Sequence, residues 1–107
     1  MIGIINYGLG NLFAFKNAYK LLGIESEIIN NSSQVDICSH LILPGVGTFD
    51  YAINNFKNSK LYESVRVAVL QYKRPILGVC VGMQILFDKS EEGISQGLSW
   101  IPGVVSK

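Results

Sequence analysis

The chain has 107 residues, 49% of them hydrophobic and 16% charged, a globular composition with room for one compact domain or part of one. Its net charge of +1 is spread without a basic block, which gives no electrostatic footing for nucleic acid or an anionic membrane surface. The opening Met1-Ile2-Gly3-Ile4-Ile5-Asn6 has no basic n-region and too short an apolar run for a signal peptide or a membrane span, so a cytoplasmic protein is expected.

In chain order, Ile2 to Ile5 is a short apolar run ended by Asn6-Tyr7-Gly8-Leu9-Gly10-Asn11, which predicts a buried strand and a tight loop. Phe15, Ala18, Tyr19 and Leu22 then follow helical spacing, with Gly23 as the stop. Glu25 to Ile29 suits a second strand and Leu41-Ile42-Leu43 a third, broken at once by Pro44-Gly45-Val46-Gly47. Leu61, Val65, Ala68, Val69 and Tyr72 form another amphipathic pattern before the apolar strand Ile76 to Val79, and Val81 to Phe87 resumes a helical pattern. Residues 90–97 read as loop, Leu98 to Ile101 as a short strand or extended piece, and the tail from Gly103 to Lys107 as a strand beginning. Apolar strands alternating with amphipathic helices predict an α/β fold, a small parallel sheet with helices on both faces.

In open sheets of this class, ligands bind where strands end at their carboxyl side, so the turns after Ile5, Leu43 and Val79 are the places for chemistry. Gly78-Val79-Cys80-Val81-Gly82 sets a cysteine between small neighbours at a strand-to-helix junction, the pattern of a nucleophile elbow. Unpaired amides and the positive end of the following helix favour thiolate over thiol there. The Val81 amide would face an oxyanion, and Pro44-Gly45-Val46-Gly47 is the natural source of a second donor. The bland alternative is that Cys80 is a small buried hydrophobe.

Other residues offer less. Cys38 has no such context and is read as an inert free thiol, and two cysteines with one histidine are too few for a thiolate–imidazole zinc site. His40 precedes Leu41 and so stands about 10 Å from the carboxyl-end face, too far to act as base for Cys80. Gly8-Leu9-Gly10-Asn11-Leu12-Phe13 echoes a dinucleotide loop, but Phe13 occupies the place of the third small residue, and the plainer reading is a turn with Asn11 as helix N-cap.

With these motifs in place, the chain resembles the glutaminase subunits of imidazole glycerol phosphate synthase, a family of class I glutamine amidotransferases of histidine biosynthesis. The resemblance runs nearly end to end: Ile2 to Leu12 resembles the family's opening strand and loop, Leu43 to Phe49 its oxyanion strand, Ile76 to Phe87 its nucleophile segment, and Ser90 to Gly93 with Gly97 to Gly103 the stretch after it. It implies a flavodoxin-like sheet flanked by helices and no cofactor or metal. It also implies a reaction in which Cys80 attacks the side-chain amide of glutamine, ammonia leaves and water resolves the thioester. By the same resemblance Val46 and Val81 supply oxyanion amides, and Gly47, Gln84 and Glu92 hold the glutamine. Read from the residues alone, Gln84 is a helix-surface amide and Glu92 a solvated loop charge. Family members deliver ammonia to a (β/α)8 synthase or cyclase subunit in a heterodimer, and the loop at Gly10 and Asn11 is similar to the partner-facing loop.

Asn6 stands where the family usually has Asp, Val81 where Leu is commoner and Ser99 where Gly is usual. The family's catalytic histidine and glutamate lie in a C-terminal portion with no counterpart in these residues. Residues 1–107 therefore read as the N-terminal part of one amidotransferase domain, C-terminally truncated, and turnover by the chain alone is not expected. The Trp100-Ile101 stretch also resembles paralogues that feed ammonia to sugar amidation in surface-polysaccharide pathways. Two further readings are an inactive partner-binding fragment and a nucleotide-binding α/β module.

Overall fold

Four short apolar segments form the sheet. In the computed structural model, which describes residues 1–106, these are β1 (Ile2–Ile5), β2 (Ser26–Ile29), β3 (His40–Leu43) and β4 (Ile76–Gly78). All pair in parallel in the order β2-β1-β3-β4. This matches the first four positions of the flavodoxin-like order 2-1-3-4-5. The register sets Ile4 beside Ile28 and Ile42, and Ile42 beside Leu77, on one face. On the other face Ile5, Ile29, Leu41 and Leu43 enter the main core.

The helices divide unequally between these faces. On the core side lie α2 (Ser32–Val35), α3 (Phe49–Lys57), α4 (Tyr62–Leu70) and α5 (Val81–Gln84). The α2 helix is opened by a capping box between Asn31 and Gln34. Thr48 caps α3 by accepting from the Tyr51 amide at 3.3 Å, and Phe49, Ala52, Ile53 and Phe56 all point into the core. That i, i+3, i+4 and i+7 spacing is the signature of one buried helical face. Phe56 is the hub, meeting the rings of Tyr7, Tyr62 and Trp100 edge-on at 5.4, 5.4 and 6.1 Å.

Against the opposite face lies α1 (Leu12–Leu21), started by Asn11, whose Oδ1 accepts from the Ala14 amide at 3.2 Å. It is ended at Gly23, where φ is +72°. The face predicted from Phe15, Ala18, Tyr19 and Leu22 is only partly realised. Phe15 and Tyr19 are half-buried, whereas Ala18 and Leu22 are exposed, and no residue of α1 is fully buried. Beside it, Leu77 on β4 is 57% exposed.

The helix expected from Val81 to Phe87 stops at Gln84. The carbonyls of Ile85, Leu86 and Phe87 instead accept from the amides of Leu98, Ile101 and Ser99 at 2.8–3.2 Å. A tertiary pairing thus replaces the last helical turn, and it also explains why the stretch 98–101 is hydrogen-bonded without being a strand. A small second sheet joins β5 (Lys89–Ser90) to β6 (Val104–Val105) in parallel. Of the strand expected over 103–107, Val104–Val105 is observed and Lys107 lies outside the described residues.

Candidate active site

Because β1 is flanked by β2 on one side and β3 on the other, the loops leaving β1 and β3 diverge at the carboxyl end of the sheet. A crevice opens at this switch point. A cavity of about 240 Å³ occupies it, lined on one wall by Gly10, Asn11 and Ala14, and on the other by Pro44, Val46 and Cys80.

Cys80 stands at the bend between β4 and α5 with φ +57° and ψ −126°, a backbone conformation that L residues rarely adopt. It is exposed, with its thiol free. Two sequence features permit the bend. A Cβ on Gly78 would stand 2.5 Å from the Met83 Cα, and one on Gly82 would stand 2.0 Å from the Leu43 carbonyl oxygen. Only glycine fits either place, and Gly82 lets the first turn of α5 ride directly on the end of β3. Gly45 completes the contact, since a Cβ there would meet the Gly82 amide nitrogen at 2.5 Å. The Val79 amide donates to the Leu43 carbonyl at 3.0 Å, tying the two strand ends together.

Of the residues singled out from sequence, Gly10, Asn11, Val46 and Cys80 line the one cavity, with Val81 following directly. The main-chain amides of Val46 and Val81 donate to no acceptor among the described residues. Gly47 has φ +88° and ends the loop before Thr48. Gln84 lies one turn after Cys80, its amide donating to the Cys80 carbonyl at 3.3 Å. Its side-chain Oε1 is buried and has no hydrogen-bond partner among the described residues, and neither Gln84 nor Gly47 lines the cavity. Glu92 is exposed and does not line the cavity. Its loop is nevertheless anchored near Gly47, because the Asp50 carboxylate accepts from the Ile94 and Ser95 amides at 3.0 and 2.8 Å. Those two amide bonds hold the Asp50 carboxyl below its usual range.

His40, the chain's single histidine, opens β3 at the amino end of the sheet, where its Nδ1 lies 2.9 Å from Ser39 Oγ. Asn6 spans a turn, accepting from the Gly8 amide at 3.2 Å and donating to Asn30 Oδ1 at 2.8 Å. The second bond needs the amide that an aspartate would lack. Ser99 has φ +58°, so the position where the family usually has glycine does carry a left-handed backbone here. Among the described residues no helix is long and apolar enough to cross a membrane, and no group of three or more His, Cys, Asp or Glu side chains is arranged to hold a metal ion.

Comparison with known proteins bears on the fold and the family. The family model for class-I glutamine amidotransferases matches residues 4–100. The imidazole glycerol phosphate synthase subunit HisH of Leptospira interrogans is 45% identical over 107 residues, all of this chain and 52% of the relative. The protein of the same name from Bdellovibrio bacteriovorus is 44% identical over 105 residues, covering 98% of this chain and 52% of its own length. The chain thus spans about half the length of the curated relatives it matches. A crystal structure of a glutamine amidotransferase superposes with a TM-score of 0.73 at 22% identity, over 92% of this chain and 51% of that one, and shares the fold. With a family model matching nearly its whole length, the chain belongs to the class-I glutamine amidotransferases.

Proposed function

We propose that this chain carries the nucleophile half of a glutaminase site and acts within an imidazole glycerol phosphate synthase of histidine biosynthesis. The observation that carries the reading is Cys80 itself: exposed, held at φ +57° on a bend that only glycines at 78 and 82 allow, and facing the cavity that Val46 lines. In this reading the Cys80 thiolate adds to the γ-amide carbon of glutamine and the carbonyl electrons move to oxygen. The unpaired amides of Val46 and Val81 receive that charge. The C–N bond then breaks, the nitrogen takes a proton and leaves as ammonia, and water cleaves the thioester to glutamate.

Gly47, Gln84 and Glu92 are assigned to the bound glutamine. The place of Gln84 one turn after Cys80, with an unpaired Oε1, supports this for a bound state in which that side chain turns toward the cavity. His40 stands at the wrong end of the sheet to move the proton, so the base belongs to a group outside these residues. Residues 1–107 form part of one amidotransferase domain. Gly10 and Asn11 lie at the cavity rim, in line with a (β/α)8 synthase partner docking there and receiving ammonia before water protonates it. The word "subunit" in the relatives' names supports such an assembly, and those names favour histidine biosynthesis over sugar amidation.

The test is covalent capture. The chloroketone analogue of glutamine, 2-amino-4-oxo-5-chloropentanoate, which alkylates a thiolate by displacing chloride and needs no proton donor, is expected to add once per chain at Cys80. Free glutamine should slow the addition and Cys80→Ala abolish it, all read by intact-mass and peptide mass spectrometry. Labelling at Cys38, or no labelling at all, would overturn the reading.

A further inference from the structure

Tyr7 has no part in the reaction described above, yet it is built into the site from behind. It follows β1, where the Asn6–Gly8 turn directs its ring inward, and it is 6% exposed, edge-on to Phe56 at 5.4 Å. Its hydroxyl donates to the Pro44 carbonyl across 37 positions of sequence. The same oxygen would lie 2.8 Å from a Cβ at Gly45. Burial pushes the phenol well above its ordinary pKa, so it remains a donor at every working pH.

We propose that Tyr7 is the positioning residue of the oxyanion loop, its hydroxyl fixing the Pro44–Gly45 peptide and through it the direction of the Val46 amide. With the Pro44 carbonyl held, only the two dihedrals of Gly45 separate the anchored peptide from that amide. Gly45 is a residue with the widest dihedral freedom, so an anchor outside the loop is what limits it. One wall of the Gly45 site is the Gly82 amide, at 2.5 Å from an ideal Cβ, and the other is the Tyr7 hydroxyl. The nucleophile turn and Tyr7 therefore grip the loop from two sides. An oxyanion donor acts by standing ready before charge develops, and a displacement of about 1 Å costs up to about 100-fold in rate. The catalytic consequence rests on the glutaminase reading, whereas the hold on the loop does not.

Tyr7→Phe keeps the ring packing and removes only the hydroxyl, and two readouts on the intact chain separate the two claims. The first is the backbone 15N order parameters of the Gly45, Val46 and Gly47 amides, expected to fall in Tyr7→Phe while those of the β1 and β3 amides stay high. The second is the ratio of two rates at Cys80: acylation by p-nitrophenyl acetate, which passes through an oxyanion and needs no general acid, and alkylation by iodoacetamide, which passes through none. That ratio should fall roughly 10-fold. Phe56→Leu, which loosens the same aromatic packing but keeps the hydroxyl, should lower the melting temperature and leave the ratio alone. It also serves as the comparison if Tyr7→Phe folds poorly.

Unchanged loop order parameters in Tyr7→Phe would overturn the proposal whatever Cys80 does. A ratio that stays level, or falls as far in Phe56→Leu, would overturn its catalytic part. Lower loop order parameters together with a wild-type Cys80 that p-nitrophenyl acetate does not acylate would support the hold and remove the glutaminase reading instead.

Discussion

Cys38 and Cys80 sit at opposite ends of the same sheet and have opposite surroundings. At the amino end Cys38 is 2% exposed, its thiol donates to the Gln34 carbonyl at 3.4 Å, and burial pushes its pKa up. Gly3 lies so close that a Cβ there would stand 2.6 Å from the sulfur. At the carboxyl end glycines are equally crowded, but there they pack backbone against backbone and leave the Cys80 side chain free. The same residue type and the same small neighbours thus give a filler at one end and a reagent at the other. What differs is where the space made by glycine is spent: on accommodating a side chain at position 3, and on bringing two loops together at positions 45, 78 and 82.

The sharpest way to break this contrast is to alkylate the folded chain with iodoacetamide. Cys80 should react at least roughly 100-fold faster than Cys38, whose thiol must wait for local opening, and comparable rates would mean the buried end is loose.

Next in size is a pair of glycine substitutions followed by urea denaturation. Gly82→Ala drives a Cβ onto the Leu43 carbonyl, a backbone atom that cannot step aside, and should cost about 3 kcal/mol. Gly3→Ala meets the Cys38 sulfur, which can rotate, and should cost about 1–2 kcal/mol, part of it recovered in the double variant with Cys38→Ala. Equal losses would show that the two ends are packed by the same rule.

Smaller still is the strain at the elbow. Cys80→Gly should raise stability by about 1 kcal/mol while ending alkylation there, whereas Cys80→Ala should end alkylation without the gain.

The mildest effect is a pH dependence of the 93–95 loop. Asp50 has a folded pKa below its unfolded value, because the Ile94 and Ser95 amides favour its charged form. Its contribution is complete above the unfolded value and fades as pH falls through the folded one. The protection factors of the Ile94 and Ser95 amides, exchange rates corrected for their intrinsic pH dependence, should fall below about pH 4, and in Asp50→Asn they should be low and nearly independent of pH. A wild-type loop insensitive to acid would remove the clamp.

How far the sequence foretold this molecule depended on the range of the interactions. The strands β1 (Ile2–Ile5), β3 (His40–Leu43) and β4 (Ile76–Gly78) were readable because parallel strands are near-continuous apolar runs. The elbow was readable because Cys80 lies between its own glycines. The α3 helix is written in the helical spacing of Phe49, Ala52, Ile53 and Phe56, a local signal. The early end of α5 was beyond local reasoning, since it depends on amides 98–101 arriving from elsewhere in the chain. The Tyr7–Pro44 bond and the Asp50 anchor are of the same kind, linking residues 37 and 44 to 45 positions apart.

Leu77 has a consequence for handling the protein in solution. An all-parallel sheet is ordinarily dry on both sides, yet here a leucine of the β4 strand is left wetted at the border of the sheet. Water resting on that methyl surface is released when two molecules meet there. Sulfate and other salts excluded from protein surfaces make any contact that covers this methyl surface more favourable.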